Sequence, residues 1–401
     1  MADPAAGGGA DPGVGRTRAS PPSVFRGSLW EVAALFLKLG VIAFGGPAAH
    51  VAMMRREVVD RRGWIGDQEF LDLFGAANLI PGPSSTEMAI FLGYVRAGWP
   101  ALILAGTLFI LPAMLMVLAL AWAYVRFGSL PQGESALYGI KPVIIAIIAQ
   151  ALWQLSKGAL KDWLLGLLAA AVILLYARGE SVLALLVGAG AFMAIVRGTR
   201  QRAHVIAAMP PAALPGLGSA IAAGVPFSMP VLFLTFLKIG AVAYGSGYVL
   251  LAFLRTDFVV HLHWLTDRQL IDAIAVGHLT PGPVFTTATF VGYLTGGLRG
   301  ALLSTLGIFL PSFIFVALIY PLLPRVRRSP TARAFLDGAT AAALGLMAAV
   351  TWQLGRAAVV DVATAGMAVA TLGALLRFRV NSAVLVIGGA LLGIVIKSIP
   401  G

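Results

Sequence analysis

Apolar residues run along this chain in continuous stretches, not in alternation. Residues 101–124, 143–155, 164–176, 182–196, 302–323 and 380–396 are apolar almost throughout, and several approach or exceed the roughly 20 residues that a membrane-spanning helix needs. Continuous runs exclude a transmembrane barrel, whose strands alternate. The pattern predicts a first helix over 30–44, ended by Gly45-Gly46-Pro47, then an amphipathic basic stretch over 48–62. The next apolar segment, 70–96, is interrupted by Pro81-Gly82-Pro83. Proline removes a donor and disfavours helix in the residue before it, so two half-length helices are expected, over 68–80 and 84–96. Irregular backbone at membrane depth survives only inside protein or beside a wet cavity. Further spans are predicted near 100–124, 139–156, 163–177 and 181–197.

The chain then repeats itself. Asn78-Leu79-Ile80-Pro81-Gly82-Pro83 returns two hundred residues later as His278-Leu279-Thr280-Pro281-Gly282-Pro283. Phe36-Leu37-Lys38-Leu39-Gly40 returns as Phe236-Leu237-Lys238-Ile239-Gly240, and Trp64, Asp67 and Asp72 return as Trp264, Asp267 and Asp272. One residue is then dropped and the offset becomes 199, matching Gly93-Tyr94 to Gly292-Tyr293, Leu111-Pro112 to Leu310-Pro311 and Trp153-Gln154-Leu155 to Trp352-Gln353-Leu354. The expected organisation is a disordered tail over 1–28, one transmembrane repeat over 29–197, a linker over 198–228 and a second repeat over 229–401. In the second, spans are predicted over 229–250, 300–322, 335–354, 359–376 and 380–397, with a broken segment over 268–294. The tail has no apolar core of a signal peptide.

Charge adds an orientation. Arg55, Arg56, Arg61 and Arg62 follow the first helix of repeat one, where repeat two has Arg255 against Asp257. After the 100–124 helix the bias is reversed, with Arg126 alone in repeat one and Arg325, Arg327, Arg328 and Arg333 in repeat two. Basic loops stay cytoplasmic, so equivalent loops are expected on opposite faces. That is an inverted repeat, with an odd number of crossings in each copy. The fold class expected is an all-α polytopic membrane protein of two inverted repeats, each with a broken or re-entrant Pro-Gly-Pro helix.

Composition fits that class. The chain is 59% hydrophobic and 11% charged, with a mean hydropathy of +0.89, against about a quarter charged in soluble domains; a soluble enzyme is excluded. The net charge of +12 is spread at the ends of apolar runs, not laid out as the basic, aromatic-interleaved face of a nucleic-acid binder. There is no cysteine, and the five histidines form no metal-ligand spacing, so no metal or cofactor is expected.

The candidate chemistry gathers at the breaks. A helix that starts inside the membrane presents unpaired amides and a positive dipole end, which attracts an anion. Pro83 suits the first helical position, and Ser84, Ser85 and Thr86 add hydroxyl donors; Pro283 and Thr286 do the same in repeat two. The alternative is that each Pro-Gly-Pro is a packing kink. Lys38 and Lys238 share a position inside apolar helices, where they either line an anion path or snorkel to the surface. Glu87 has no counterpart in repeat two; an unpaired carboxylate at that depth is driven towards its neutral form and suits proton coupling, unless Lys38, Lys141 or Arg96 pairs with it. Asn78 and His278 either contact substrate or satisfy freed carbonyls. Asp72 and Asp272 are expected near the membrane surface, and Pro112 and Pro311 are expected to kink their helices.

The Lys-Leu-Gly and Phe-Gly-Gly-Pro of 36–47, the Pro-Gly-Pro-Ser-Ser-Thr-Glu of 81–87, Gly93-Tyr94 and the duplication together resemble the chromate transporter family in its long two-domain form. The resemblance covers 30–397. It implies chromate efflux across the bacterial inner membrane, with sulfate as isosteric competitor and the membrane potential or proton gradient as driving force. It also draws Gly45 and Gly46 into the substrate site. Repeat two departs from the motif with Tyr244-Gly245-Ser246-Gly247, so Gly245 and Ser246 need not contribute as their counterparts do. Residues alone leave open a sulfate or other oxyanion transporter, a channel, or an intramembrane enzyme acting on a lipid phosphate.

Overall fold

The computed structural model describes residues 27–44, 46–128, 130–197, 226–244, 249–322, 329–378 and 380–398. Gly45, Gly245, Ser246, nearly all of the tail and most of the linker lie outside them. The described chain is helical throughout. Repeat one comprises α1 (Leu29–Ile42), α2 (Pro47–Arg55) running into a π-helical turn (Arg56–Arg61), α3 (Asp67–Ala77), α4 (Ser84–Phe127), α5 (Pro131–Ala159), α6 (Trp163–Ala177) and α7 (Val182–Arg197). Repeat two answers element for element. It has α8 (Met229–Val242), α9 (Leu250–Leu254) with its π-helical turn (Arg255–His261), α10 (Asp267–Leu279), a 3-10 turn (Val284–Thr286) leading into α11 (Thr287–Ile319), then α12 (Pro330–Ala358), α13 (Val362–Arg377) and α14 (Ser382–Ser398).

Starts of matched helices use matched chemistry. Ser28 and Ser228 accept from the backbone in the first turns of α1 and α8. Asp162 accepts from the Leu165 amide at the start of α6, and Asp361 from the Thr364 amide at the start of α13, at 3.1 and 2.8 Å. In both loops the amide hydrogen bond holds the carboxyl below the usual carboxylate range.

α4 and α11 are long only in sequence. Backbone leaves helical geometry at Ala97–Gly98 and again at the matched Gly296–Gly297, where Gly98 and Gly297 take positive φ. Beyond that point the chain folds back on itself. The Thr289 and Thr305 hydroxyls are 2.7 Å apart, and Ser304 donates to the Ala288 carbonyl at 2.7 Å; sixteen residues of straight helix would separate such groups by about 24 Å. In α4 a Cβ on Gly93 would meet Ala105 Cβ at 2.6 Å, a contact that a straight helix forbids. Each element is therefore a half-helix (84–96, 287–295) folded against a full-length helix (99–127, 298–319). Among the described residues four segments are long and apolar enough to cross a membrane, Ser84–Phe127, Pro131–Ala159, Val284–Ile319 and Pro330–Ala358, and in the two hairpins the second arm is the part that has that length. The helices continue through Pro112 and Pro311; the departures lie at the two glycine turns instead.

The repeats interlock reciprocally. α4 packs on α11; α6 and α7 pack on α12, and α13 and α14 pack on α5. Contact of i with j mirrored by j with i is the mark of a two-fold relation. Small residues permit the close approach: a Cβ on Gly139 of α5 would strike the Gly389 carbonyl of α14, and one on the equivalent Gly338 of α12 would strike the Ala189 carbonyl of α7.

Candidate functional site

The two Pro-Gly-Pro segments lie at this reciprocal junction. α3 ends at Ala77 and α4 starts at Ser84; α10 ends at Leu279 and helix resumes at Val284. The one-residue difference in length is taken up by the 3-10 turn, which advances further per residue than an α-helix. Gly82 and Gly282 adopt φ of 131° and 92°, the region open to glycine. Each donates its amide into the other repeat: Gly82 to the Ala243 carbonyl at 2.9 Å, and Gly282 to the Ala43 carbonyl at 2.8 Å. Pro81, Gly82, Pro83 and Pro281, Gly282, Pro283 are all buried. The residue after each in-helix proline closes against the opposite break. A Cβ on Gly82 would lie 2.6 Å from the Ser312 hydroxyl, and one on Gly282 would lie 2.7 Å from Ala113 Cβ.

The first turns of the two half-helices differ in what they leave free. In repeat two Thr286 donates to the Pro283 carbonyl and Thr287 to the Val284 carbonyl, both at 2.8 Å. In repeat one Ser84, Ser85 and Thr86 are buried, and the Thr86 hydroxyl has no hydrogen-bond partner among the described residues. Glu87, 0% exposed, accepts from Ser312 on Oε1 at 3.5 Å. Its Oε2 has no hydrogen-bond partner among the described residues. The cations that the sequence offered to Glu87 are engaged elsewhere: Lys38 with Glu57, Arg96 with Glu31, Lys141 with Asp272.

Lys38 and Lys238 stand in matched ion pairs, with Glu57 at 2.8 Å and Asp257 at 2.7 Å. Arg55–Asp67 and Arg255–Asp267 repeat in the same way. The surroundings differ. Glu57, on the amphipathic stretch outside the spans, also meets Arg61 at 2.9 Å and Arg62 at 3.4 Å, and Lys38 holds its carboxyl below the usual range. Three cations share that one carboxylate. Asp257 has Lys238 and, at 3.8 Å, His261. The sequence carries a signal for these pairs, an acid nineteen residues beyond each lysine.

Asp272 departs from expectation. It is wholly buried, accepts from the Tyr124 hydroxyl at 2.9 Å and pairs with Lys141 at 3.5 Å, because α10 packs against α5, α12 and α14. Asp72, partly exposed, accepts from Gln68 one turn away at 3.1 Å. Asn78 is exposed and caps α3, whereas His278 is half-buried in the last turn of α10. Gly46 precedes Pro47 at the start of α2. Ser312 and the burial of Asp272 gave no sequence signal, since each depends on which residues the two repeats bring face to face.

The sequence model described as chromate transporter matches residues 30–195 and 231–394, one match in each repeat. A chromate transport protein of Cupriavidus metallidurans is 37% identical over 376 residues, covering 92% of this chain and 93% of that protein. A chromate transport protein of Pseudomonas aeruginosa is 32% identical over 395 residues, 94% of each. A transporter of Bacillus subtilis, YwrA, is 29% identical over 126 residues, which is 31% of this chain but 71% of its own length. No solved structure matches the chain.

Proposed function

The chain belongs to the chromate transporter family, and from that premise we propose that this multi-pass membrane protein exports chromate across the bacterial inner membrane, driven by the membrane potential or the proton gradient. The observation that carries the proposal is the reciprocal contact of the two breaks, Gly82 to Ala243 and Gly282 to Ala43. It sets the starts of two half-helices at one junction between the repeats, and helix starts inside a membrane are sites for anionic groups. The first-turn amides and the hydroxyls of Ser84, Ser85 and Thr86, with Thr286 opposite, would hold the oxyanion; Pro81, Pro83, Pro281 and Pro283 shape the turns and Gly82 and Gly282 let the backbone approach. The surplus positive charge round Glu57, to which Lys38 belongs, would draw the divalent anion towards the pathway, while Lys238 is balanced by Asp257. Glu87 would carry the coupling proton.

Sulfate has the same tetrahedral shape and charge, and these donors do not distinguish the two, so sulfate is expected to compete. Uptake of labelled chromate into everted vesicles, with and without an imposed gradient, tests the proposal. Gradient-dependent accumulation inhibited by sulfate is expected. Equal uptake with no gradient would make the protein a channel, and no uptake of either oxyanion would remove the transport reading.

A further inference from the structure

The start of α4 carries a negative group of its own. The first amides of that helix to meet a carbonyl are those of Thr86 and Glu87, both on Pro83, at 2.7 and 3.1 Å, so the Ser84 and Ser85 amides stand ahead of the hydrogen-bond ladder. The Glu87 side chain turns back towards the break. A Cβ on Gly82 would strike its Oε1, and Ser312 donates to the same oxygen at 3.5 Å. Thr86 and Glu87 are both wholly buried, and neither the Thr86 hydroxyl nor Glu87 Oε2 has a hydrogen-bond partner among the described residues. Buried polar atoms left in that condition cost stability, and here two of them share the turn that leads the helix. Repeat two differs. Thr286 and Thr287 commit their hydroxyls to the Pro283 and Val284 carbonyls, and no carboxylate occurs between Asp272 and Asp337. One half-helix start has a built-in anion and the other has none.

We propose that the Glu87 carboxylate is the oxyanion's internal competitor: it holds the anion position at the start of α4 in the empty protein, and an oxyanion binds there as Glu87 takes up one proton. This rests on the reading of the helix starts as the oxyanion site and adds how a proton is tied to it. A carboxylate and a dianion cannot share one helix start, because like charges at contact distance in a low-dielectric site repel more strongly than the partial charge of the dipole attracts. A neutral acid can. The proton of a hydronium forms a bond to Oε2, one water is released, and the carboxyl becomes a donor. With the Thr86 hydroxyl it then offers two hydrogen bonds to the oxyanion, while Ser312 stays on Oε1. When the oxyanion leaves, the acid returns its proton to water. Dianion and proton therefore travel together, and one net negative charge crosses per turnover. An interior-negative membrane potential drives that charge outward, whereas an alkaline interior opposes the outward proton. Of the two driving forces, the potential is the one that serves export.

Other titratable groups lie on the elements packed round α4. On α1 Glu31 is paired with Arg96 and Lys38 with Glu57, and on α2 Arg55 is paired with Asp67. α3 also carries the exposed Glu69 and, bonded to Gln68, Asp72. On α10 Asp272 is paired with Lys141, and Asp267 with Arg255, beside Arg268. α11 brings Tyr293 and Arg299, and Tyr320 just beyond it sets its ring edge-on to Tyr94. Tyr244 follows the carbonyl that accepts from Gly82. The imidazoles are His50, edge-on to Phe109, and His278 in the last turn of α10; the variant below separates them from Glu87.

The probe is sulfate, which stays a dianion throughout the neutral and alkaline range, as chromate does not. Its binding to the purified full chain is followed by calorimetry at rising pH, in two buffers of different ionisation enthalpy so that proton uptake is read as well. One proton taken up per sulfate is expected, with affinity falling about tenfold for each pH unit. Glu87→Gln is neutral at every pH. It should take up no proton, keep one affinity across the range and bind more tightly than the parent at alkaline pH. No proton uptake by the parent, with an affinity that ignores pH, overturns the competition and leaves the helix starts standing as an oxyanion site. A parental slope retained in Glu87→Gln overturns it too, and moves the titration to another group such as His50 or His278. Sulfate binding by neither protein at any pH overturns the site reading and the competition with it. Ser312→Ala serves should Glu87→Gln not fold: losing the donor to Oε1 favours the neutral acid, so the fall in affinity should begin at higher pH, and an unmoved profile overturns the assignment to Glu87.

Discussion

α3 and α10 lead into the two breaks with the same residue at the same place, Asp72 and Asp272, in different surroundings. α3 packs chiefly on α4, whereas α10 also packs against α5, α12 and α14, and it is there that Asp272 is enclosed by Tyr124 and Lys141. The equivalent of Lys141 in repeat two is Thr340, so the lysine that meets Asp272 has no counterpart at the matching position of the other repeat. Two copies of one sequence unit thus take unequal positions round a shared junction. Under the transport reading, inequality between related halves is what alternating access requires, since one side must be held while the other is loose.

The difference can be broken at several points. The largest effect is expected at the breaks: Gly82→Val should abolish transport with insertion intact, because φ of 131° suits glycine and a side chain there collides with Ser312 and Glu87. Gly282→Ala meets one methyl group instead, at 2.7 Å on Ala113, and Ala113→Gly should partly restore its transport; absence of any restoration would detach the two residues. Next comes the buried pair. Lys141→Met leaves a wholly buried carboxylate without its cation, and breaking a buried pair costs about 3–5 kcal/mol. Thermal unfolding in detergent should fall sharply for Lys141→Met and hardly at all for Asp72→Asn. Equal losses would mean that the two half-helices are not differently held.

The lysines give a smaller contrast. Lys38→Met should weaken oxyanion affinity roughly tenfold, since a contact to a charged group is worth about 1.5–3 kcal/mol. Lys238→Met should act mainly on stability, because it removes the closer of the two partners of Asp257. Binding isotherms of the purified variants separate the two outcomes. The smallest effect belongs to the matched caps. Asp162 and Asp361 have carboxyls lowered below the usual range, so their contribution to stability is present above the ordinary carboxylate pKa and is lost as pH falls through their lowered values. Asp162→Asn and Asp361→Asn should therefore cost a little stability near neutrality and nothing once the pH is below that window, measured as the melting temperature against pH.

Much of this is legible in the amino-acid sequence alone. The repeat, the breaks and the matched lysines follow from an offset that can be counted, and proline chemistry sets where the half-helices start. The fold-back at Gly98 and Gly297 was visible only as a gap between 96 and 100; the run itself is apolar on both sides and carries no sign of reversal. What the residues could not give was the pairing between repeats. Asp72 and Asp272 are the same letter at the same position, and their different fates are set by neighbours hundreds of residues away. Ser312 is one hydroxyl after a proline until α11 is laid across Gly82.

A transport site shared between the two breaks requires the two repeats to face opposite ways, and thiol labelling measures that directly. The chain has no cysteine, and Asp60 and Val260 are exposed equivalents in the two π-helical turns. Asp60→Cys and Val260→Cys, each alone in the full chain, are treated with a membrane-impermeant thiol reagent in right-side-out and in everted vesicles. Inverted repeats predict labelling of Val260→Cys from the outside only and of Asp60→Cys from the cytoplasmic side only. Labelling of both from the same side would contradict the inversion, and with it the reading of the two breaks as the halves of one transport site.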